Sequence, residues 1–324
     1  SLIKFLYFLN IKMLLNTNIY NKKVCLVVDV YNWAFHNIAK KLKKSLEKNN
    51  KKTLIFSYED FEKKMHSNNF KIDDYKHFVF FWYPSNTNFL RKIKKVDKKI
   101  KISRLLYDNF SYKYINFDNV DNILVSSPKI LTNFKDFYKN TPNGYCIDGV
   151  DEKLFQYFGY KSKDKLIVGW IGNSDPTING INKGFKEIKE TMNDLSNNFI
   201  FTPLDKMDGY IPHEQVPNYI KNIDIIVCFS KTEGTPNQIL EASSCGKTWI
   251  STDVGIVSLL DSSIPNNKCG LIIKRNKEDL KEKLNHFNEN RHLLEEYGKN
   301  GRRAILKNFT WDKRVKSILN YINL

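Results

Sequence analysis

Apolar positions follow two periods along this chain, and the two take turns. Continuous runs such as VCLVVDV from Val24, LIVGWIGN from Leu166 and Ile223 to Phe229, the last broken only by Asp224, read as strands buried on both faces. Between them the spacing widens to that of helices. After the first strand Phe35, Ile38, Ala39, Leu42 and Leu46 fall on one face, with lysines across the other. TLIFSY from Thr53, HFVFFWYP from His77, FIFTPLD, KTWISTDVGIVSLL and CGLIIK add strands. Pro212 to Ile220 predicts a short helix, residues 277–308 longer ones and FTWDKRVKSILNYI a last one. Strand and helix alternating over 324 residues predict an α/β chain with parallel sheets in two domains.

The stretch SKTEGTPNQILEASSCG, Ser230 to Gly246, concentrates the chemistry. It follows a buried strand and opens a helix: Thr235 can cap, Pro236 suits the first helical position and Gly246 a left-handed stop. The free N–H groups and positive dipole end of that helix, at the carboxyl edge of a strand, form an anion site. Glu233 lies in the turn. Glu241 shares a helix face with Asn237, four residues apart, while Ile239, Leu240 and Ala242 supply the packing side. Carboxylates repel phosphate but accept two strong hydrogen bonds from a diol, so the implied ligand is a phosphate flanked by polyols.

Glu, seven residues, Glu, with Gly after the first and Ala after the second, resembles the donor-site motif of the family 4 retaining glycosyltransferases. Carried over, Glu233 contacts the transferred sugar and Glu241 holds the ribose hydroxyls of the nucleotide. LIVGWIGN followed by NKGF at Asn182 resembles the family's glycine-containing strand and its diphosphate lysine, which makes Lys183 the matching cation beside Gly172. Asn173, Gly234, Thr235 and Asn237 complete the implied donor set. The family usually carries Arg where this chain has Asn173, and a glycine-rich acceptor-side loop where it has YNWAF. NILVSSPKIL and CIDGVDEKLF also resemble family segments, the second with Asp148 where Asn is usual.

The resemblance is strong from about Tyr145 onward and extends to the first half only in layout. It implies two Rossmann-like domains facing a cleft, the GT-B arrangement. Residues 1–158 form a basic acceptor-side domain with an extra N-terminal helix, 159–308 the donor domain, and 309–324 a helix crossing back. It implies sugar transfer from a nucleotide diphosphate sugar to a hydroxyl acceptor, with retained configuration and no metal or other cofactor. Glu233 and Lys183 serve the reaction, and the departing phosphate takes the acceptor's proton. His36, at the start of the first long helix, is the candidate first-domain residue; His213 reads as a surface histidine with nothing acidic spaced to orient it.

Charge adds an asymmetry. Up to Phe155 there are 28 Lys and Arg against 15 Asp and Glu; beyond it, 24 against 20. The basic half suits an anionic or membrane-linked acceptor or peripheral membrane contact, and equally a solvated lysine face. No nucleic-acid recognition motif accompanies it. Five scattered cysteines read as reduced buried thiols of a cytoplasmic protein, and no histidine has zinc-ligand spacing with a cysteine. The opening SLIKFLYFLNIKMLL, interrupted by Lys4 and Lys12, is too short and charged to span a bilayer and lacks a signal-peptide cleavage pattern. Two alternatives stand beside the enzyme: a nucleotide-sugar binder without turnover and a basic membrane adaptor on the same fold.

Overall fold

The structure, a computed structural model, describes residues 22–32, 34–81, 88–107, 117–135, 142, 144–177, 180–209 and 211–324. The expected N-terminal helix lies outside them. The described chain divides into two α/β units, each built on one parallel sheet.

In the first unit β1 (Lys23–Val28), β2 (Thr53–Ser57), β3 (Tyr75–Phe80), β4 (Lys101–Leu106), β5 (Asn122–Val125) and β6 (Gly144–Tyr145) stand in the order β2-β1-β3-β4-β5-β6. All neighbours are parallel, and Val24 to Val28 are buried on both faces, as the apolar run requires. Helices Ala34–Lys48, Tyr58–His66, Asn88–Val96 and Pro128–Lys135 connect them. The basic helix Asn88–Val96 is amphipathic. It buries Phe89, Leu90 and Ile93, leaves Lys92 and Lys95 outward and sets Lys94 against Asp121 at 2.6 Å. Phe61 meets the ring edges of Phe78, Phe80 and Phe89 in the core beneath.

In the second unit β7 (Leu166–Gly172), β8 (Phe199–Asp205), β9 (Ile225–Cys228), β10 (Thr248–Thr252) and β11 (Leu271–Ile273) run parallel in the order β11-β10-β9-β7-β8. Pro203, which lacks a ladder donor, lies on the edge strand β8, where that lack is tolerated. Strand order reverses between β7 and β9. Ligands of open parallel sheets bind at the carboxyl ends of the strands at such a switch point.

The boundary falls earlier than the expected residue 158: the chain enters the second unit at Ile147 and leaves it after Arg314. Backbone bonds explain the shift. Val150 donates to Phe309 O at 2.9 Å, and Phe158 and Gly159 donate to Cys245 O at 2.9 and 3.3 Å. These tie 147–159 to the later strands and helices. Residues 127–130 also group with the second unit, while the last helix, Trp311–Tyr321, runs from the second unit into residues 315–324 of the first. All five cysteines are buried and free. Among the described residues no helix is long and apolar enough to cross a membrane.

Candidate functional site

Everything that gathers at the β7/β9 switch point is carried by loops leaving the carboxyl ends of strands. β9 ends at Cys228, and Phe229 to Pro236 turn from it into the helix Asn237–Ser244. That helix starts one residue later than expected. Pro236 is its N-cap and makes no side-chain cap bond. Thr235 does not cap it either, because its hydroxyl accepts the Asp148 N–H at 3.3 Å. Ile239, Leu240 and Ala242 are fully buried, as predicted, and Gly246, with φ +73°, ends the turn after the helix.

The Glu-Gly turn is wedged from behind. Gly255, φ +55°, follows β10, and a Cβ there would stand 2.2 Å from Gly234 O and 3.0 Å from Glu233 O. Only glycine fits both the dihedral and the gap. Thr252 Oγ1 donates to Ser230 O at 2.7 Å, which pins the start of the same turn.

Lys183, the last residue of the short helix Gly180–Lys183, reaches Glu233 across fifty residues of sequence, its Nζ bonded to Oε1. Ser230 Oγ donates to the same oxygen at 2.8 Å. The pair is mostly shielded, with side-chain exposures of 21% and 15%. Burial works against the Lys183 ammonium, but the Glu233 carboxylate outweighs it and holds the lysine above its ordinary value. Arg275, just beyond β11, fixes this arrangement: it donates to Phe229 O and Ile181 O, both at 3.0 Å, and to Glu187 Oε1 at 3.1 Å. Nothing in the sequence marks Arg275. Its role arises because β11 ends beside the other strand termini.

Glu241 corrects the reading of His213. The histidine is exposed, but its Nε2 lies 2.7 Å from Glu241 Oε1 and its ring packs on Phe155 at 5.2 Å. An acid twenty-eight residues away orients it, a pairing no local spacing reveals. Glu241 is itself only 12% exposed. Burial lifts its pKa above the ordinary range, while the bond from His213 pulls it back.

Gly172 ends β7 and Asn173 follows it, on the strand beside β9. Asn173 Oδ1 accepts the Asp175 N–H at 3.0 Å, an Asx turn, and Ser174 N donates to Asp205 Oδ1 at 3.0 Å. Asn237 is exposed on the first turn of its helix and bonds the buried Asp148 carboxyl. Burial raises Asp148 to about 7 against the opposing effects of Asn237 and Arg314. The structure thus brings Lys183, Glu233, Gly234, Thr235, Asn237 and Glu241 onto linked loops of one sheet edge. His36 belongs to the first unit. Its Nδ1 accepts the Asn32 N–H at 2.8 Å and its ring meets Tyr31 edge-on, so the proton of the neutral ring is on Nε2.

A helix amino end, a cation and two carboxylates thus come together at the switch point of a parallel sheet, and comparisons with known proteins point the same way. Residues 179–304 match the family model described as Glycosyl transferases group 1. Uncharacterized glycosyltransferase MJ1069 of Methanocaldococcus jannaschii is 25% identical over 237 residues, covering 69% of this chain; the chain spans 57% of that relative's length. The glycosyltransferase from Rickettsia africae ESF-5 superposes with TM-score 0.68 at 15% identity, over 94% of this chain and 98% of that one. Anabaena Alr3699/HepE, in complex with UDP and glucose, superposes with TM-score 0.65 at 12% identity, over 93% and 99%. The chain has the GT-B fold of two Rossmann-like units, and its second unit carries the group 1 glycosyltransferase pattern.

Proposed function

We propose that the protein is a retaining glycosyltransferase of the family 4 type, moving a sugar from a nucleotide diphosphate sugar to a hydroxyl acceptor without a metal. The observation that carries this reading is the Lys183–Glu233 pair set against the amino end of the Asn237–Ser244 helix. In this reading the donor diphosphate draws Lys183 away from Glu233, and amides of the 234–237 turn, Pro236 excepted, share the charge that grows on the leaving group. Glu233, released, accepts the sugar's hydroxyls. Glu241 exchanges His213 for the ribose diol, which offers it two donors in place of one. The solved neighbour binding UDP and glucose supports a uridine diphosphate sugar as the first donor to test.

Retention in this reading proceeds on one face of the sugar, with the departing phosphate oxygen taking the acceptor's proton as the new bond forms. We offer His36, in the first unit, as a residue that positions an acceptor hydroxyl. With its proton on Nε2 it donates to a hydroxyl oxygen and does not strip the hydroxyl's proton. A second reading, nucleotide-sugar binding without turnover, is favoured by Asn173, whose amide oxygen serves its own turn where the family resemblance calls for a cation. Thermal-shift and calorimetric titration with UDP-, GDP-, ADP- and dTDP-sugars, followed by product analysis, tests both. Saturable donor binding with neither transfer nor hydrolysis in the presence of an acceptor panel favours the second; no binding of any donor sinks both.

A further inference from the structure

At the opposite edge of the second sheet, where β7, β9 and β10 begin, the loops close a pocket of about 160 Å³. Lys161, Lys163, Lys221 and Lys247 line it with Phe158 and Asp224. The pocket contains one carboxylate. Asp224 is fully buried, accepts the Ile167 N–H at 2.9 Å and pairs with Lys163 at 3.2 Å. Lys163 also donates to Asn222 O at 2.8 Å, and Arg291 Nη2 holds the same loop through Asp164 O at 2.9 Å. Lys221 stands 5.8 Å over the Phe158 ring.

Lys247 is the residue that a solvated lysine face does not explain. It is only 4% exposed, yet its ammonium is not sealed off and opens into the pocket. Among nearby charges Asp224 acts on it most strongly, and Lys163 and Lys161 oppose Asp224. Burial, with Lys163 and Lys161 adding to it against Asp224 and Cys245, lowers its pKa to about 8. A largely buried ammonium that shares one carboxylate with three other lysines gains from a further anion. The chain has ample room on its surface for lysines, but here four converge on one enclosed space.

We propose that this pocket binds a small phosphate dianion, free or at the end of a phosphomonoester, with Lys247 as the buried anchor and Lys161 and Lys221 closing over it from outside. The site is separate from the proposed donor site, since its residues flank the amino ends of the strands whose carboxyl ends carry Lys183 and Glu233. It does not depend on what the donor site does.

The test is calorimetric titration of the full chain at low ionic strength with inorganic phosphate and, in a second arm, glycerol phosphate, each against a chloride blank. One saturable event is expected that persists in Lys183→Ala, where the donor-site cation is gone. It should weaken about tenfold or more in Lys247→Met, because a bond to a charged group is lost. Should Lys247→Met melt early, the surface pair Lys161→Gln with Lys221→Gln decides, since neither side chain is buried; a comparable weakening there supports the site. Binding by both ligands assigns a terminal phosphate, and binding by phosphate alone assigns the free ion. Absence of saturable binding, binding lost in Lys183→Ala, or binding unchanged in both lysine variants overturns the proposal.

Discussion

Glu241 exemplifies how a residue's surroundings set its chemistry. Its carboxylate is shielded, raised by burial and relieved by one imidazole, so in the proposed function an exchange of that imidazole for a ribose diol costs the protein little. Glu241→Gln keeps the shape but offers the diol one acceptor oxygen, and nucleotide affinity is expected to fall roughly 10- to 100-fold, measured by calorimetry. Lys183→Ala should lower kcat by about 10²–10³ with a smaller change in sugar-nucleotide affinity, since its charge matters most once the diphosphate is leaving. Normal turnover in that variant would remove Lys183 from the mechanism. Asp148 gives a pH signature. Its native pKa is about 7 and its unfolded value near 3.8. Between these the native state holds a proton the unfolded chain has lost, so its contribution to stability is full below about pH 4 and fades as pH rises through 7. Asp148→Asn should therefore raise thermal stability at pH 8, by an amount on the order of 2 kcal/mol, and change it little at pH 4.

Elements matter through where they stop. The Glu-Gly turn keeps its shape because Gly255 comes within van der Waals reach of its carbonyls and Thr252 holds Ser230. Gly255→Ala introduces a Cβ where backbone already stands, in a left-handed conformation besides. Stability should fall by about 1–3 kcal/mol in denaturant titrations. Donor affinity should drop along with it, because relief of the clash moves Gly234 and Glu233. A variant that binds donor like the parent would show that the turn's position is not what the site needs. The helix Asn237–Ser244 teaches a related lesson: its spacing was readable, yet its cap was not, since Thr235 found a tertiary partner in the Asp148 amide.

On the scale of the whole molecule, the basic excess of the first half has a concrete face. Lys40, Lys43, Lys44 and Lys48 line one groove with Tyr31 and His36 beside the edge strand β2. If that face meets anionic lipid, as the charge asymmetry suggests, replacing these four lysines by glutamine should abolish salt-sensitive binding to phosphatidylserine vesicles in a flotation assay. Nucleotide affinity should stay unchanged, because the proposed donor residues belong to the other unit. Vesicle binding that survives the four substitutions would assign the lysines to solubility alone.

Periodicity alone determined most of the architecture here. Doubly buried parallel strands need uninterrupted apolar runs, and helices packed on them need one apolar stripe, so both leave a local signature. The Glu233–Glu241 spacing was legible for the same reason, being contained within one turn and one helix. What required the tertiary structure were the partners that lie far along the chain: Lys183 on Glu233, His213 on Glu241, Arg275 on Phe229 and Ile181, Asp148 on Thr235, and the four lysines around Asp224. Each of these is a choice made by strand order. A parallel sheet delivers the ends of sequence-distant segments to one edge, and no window along the chain contains both members of such a pair.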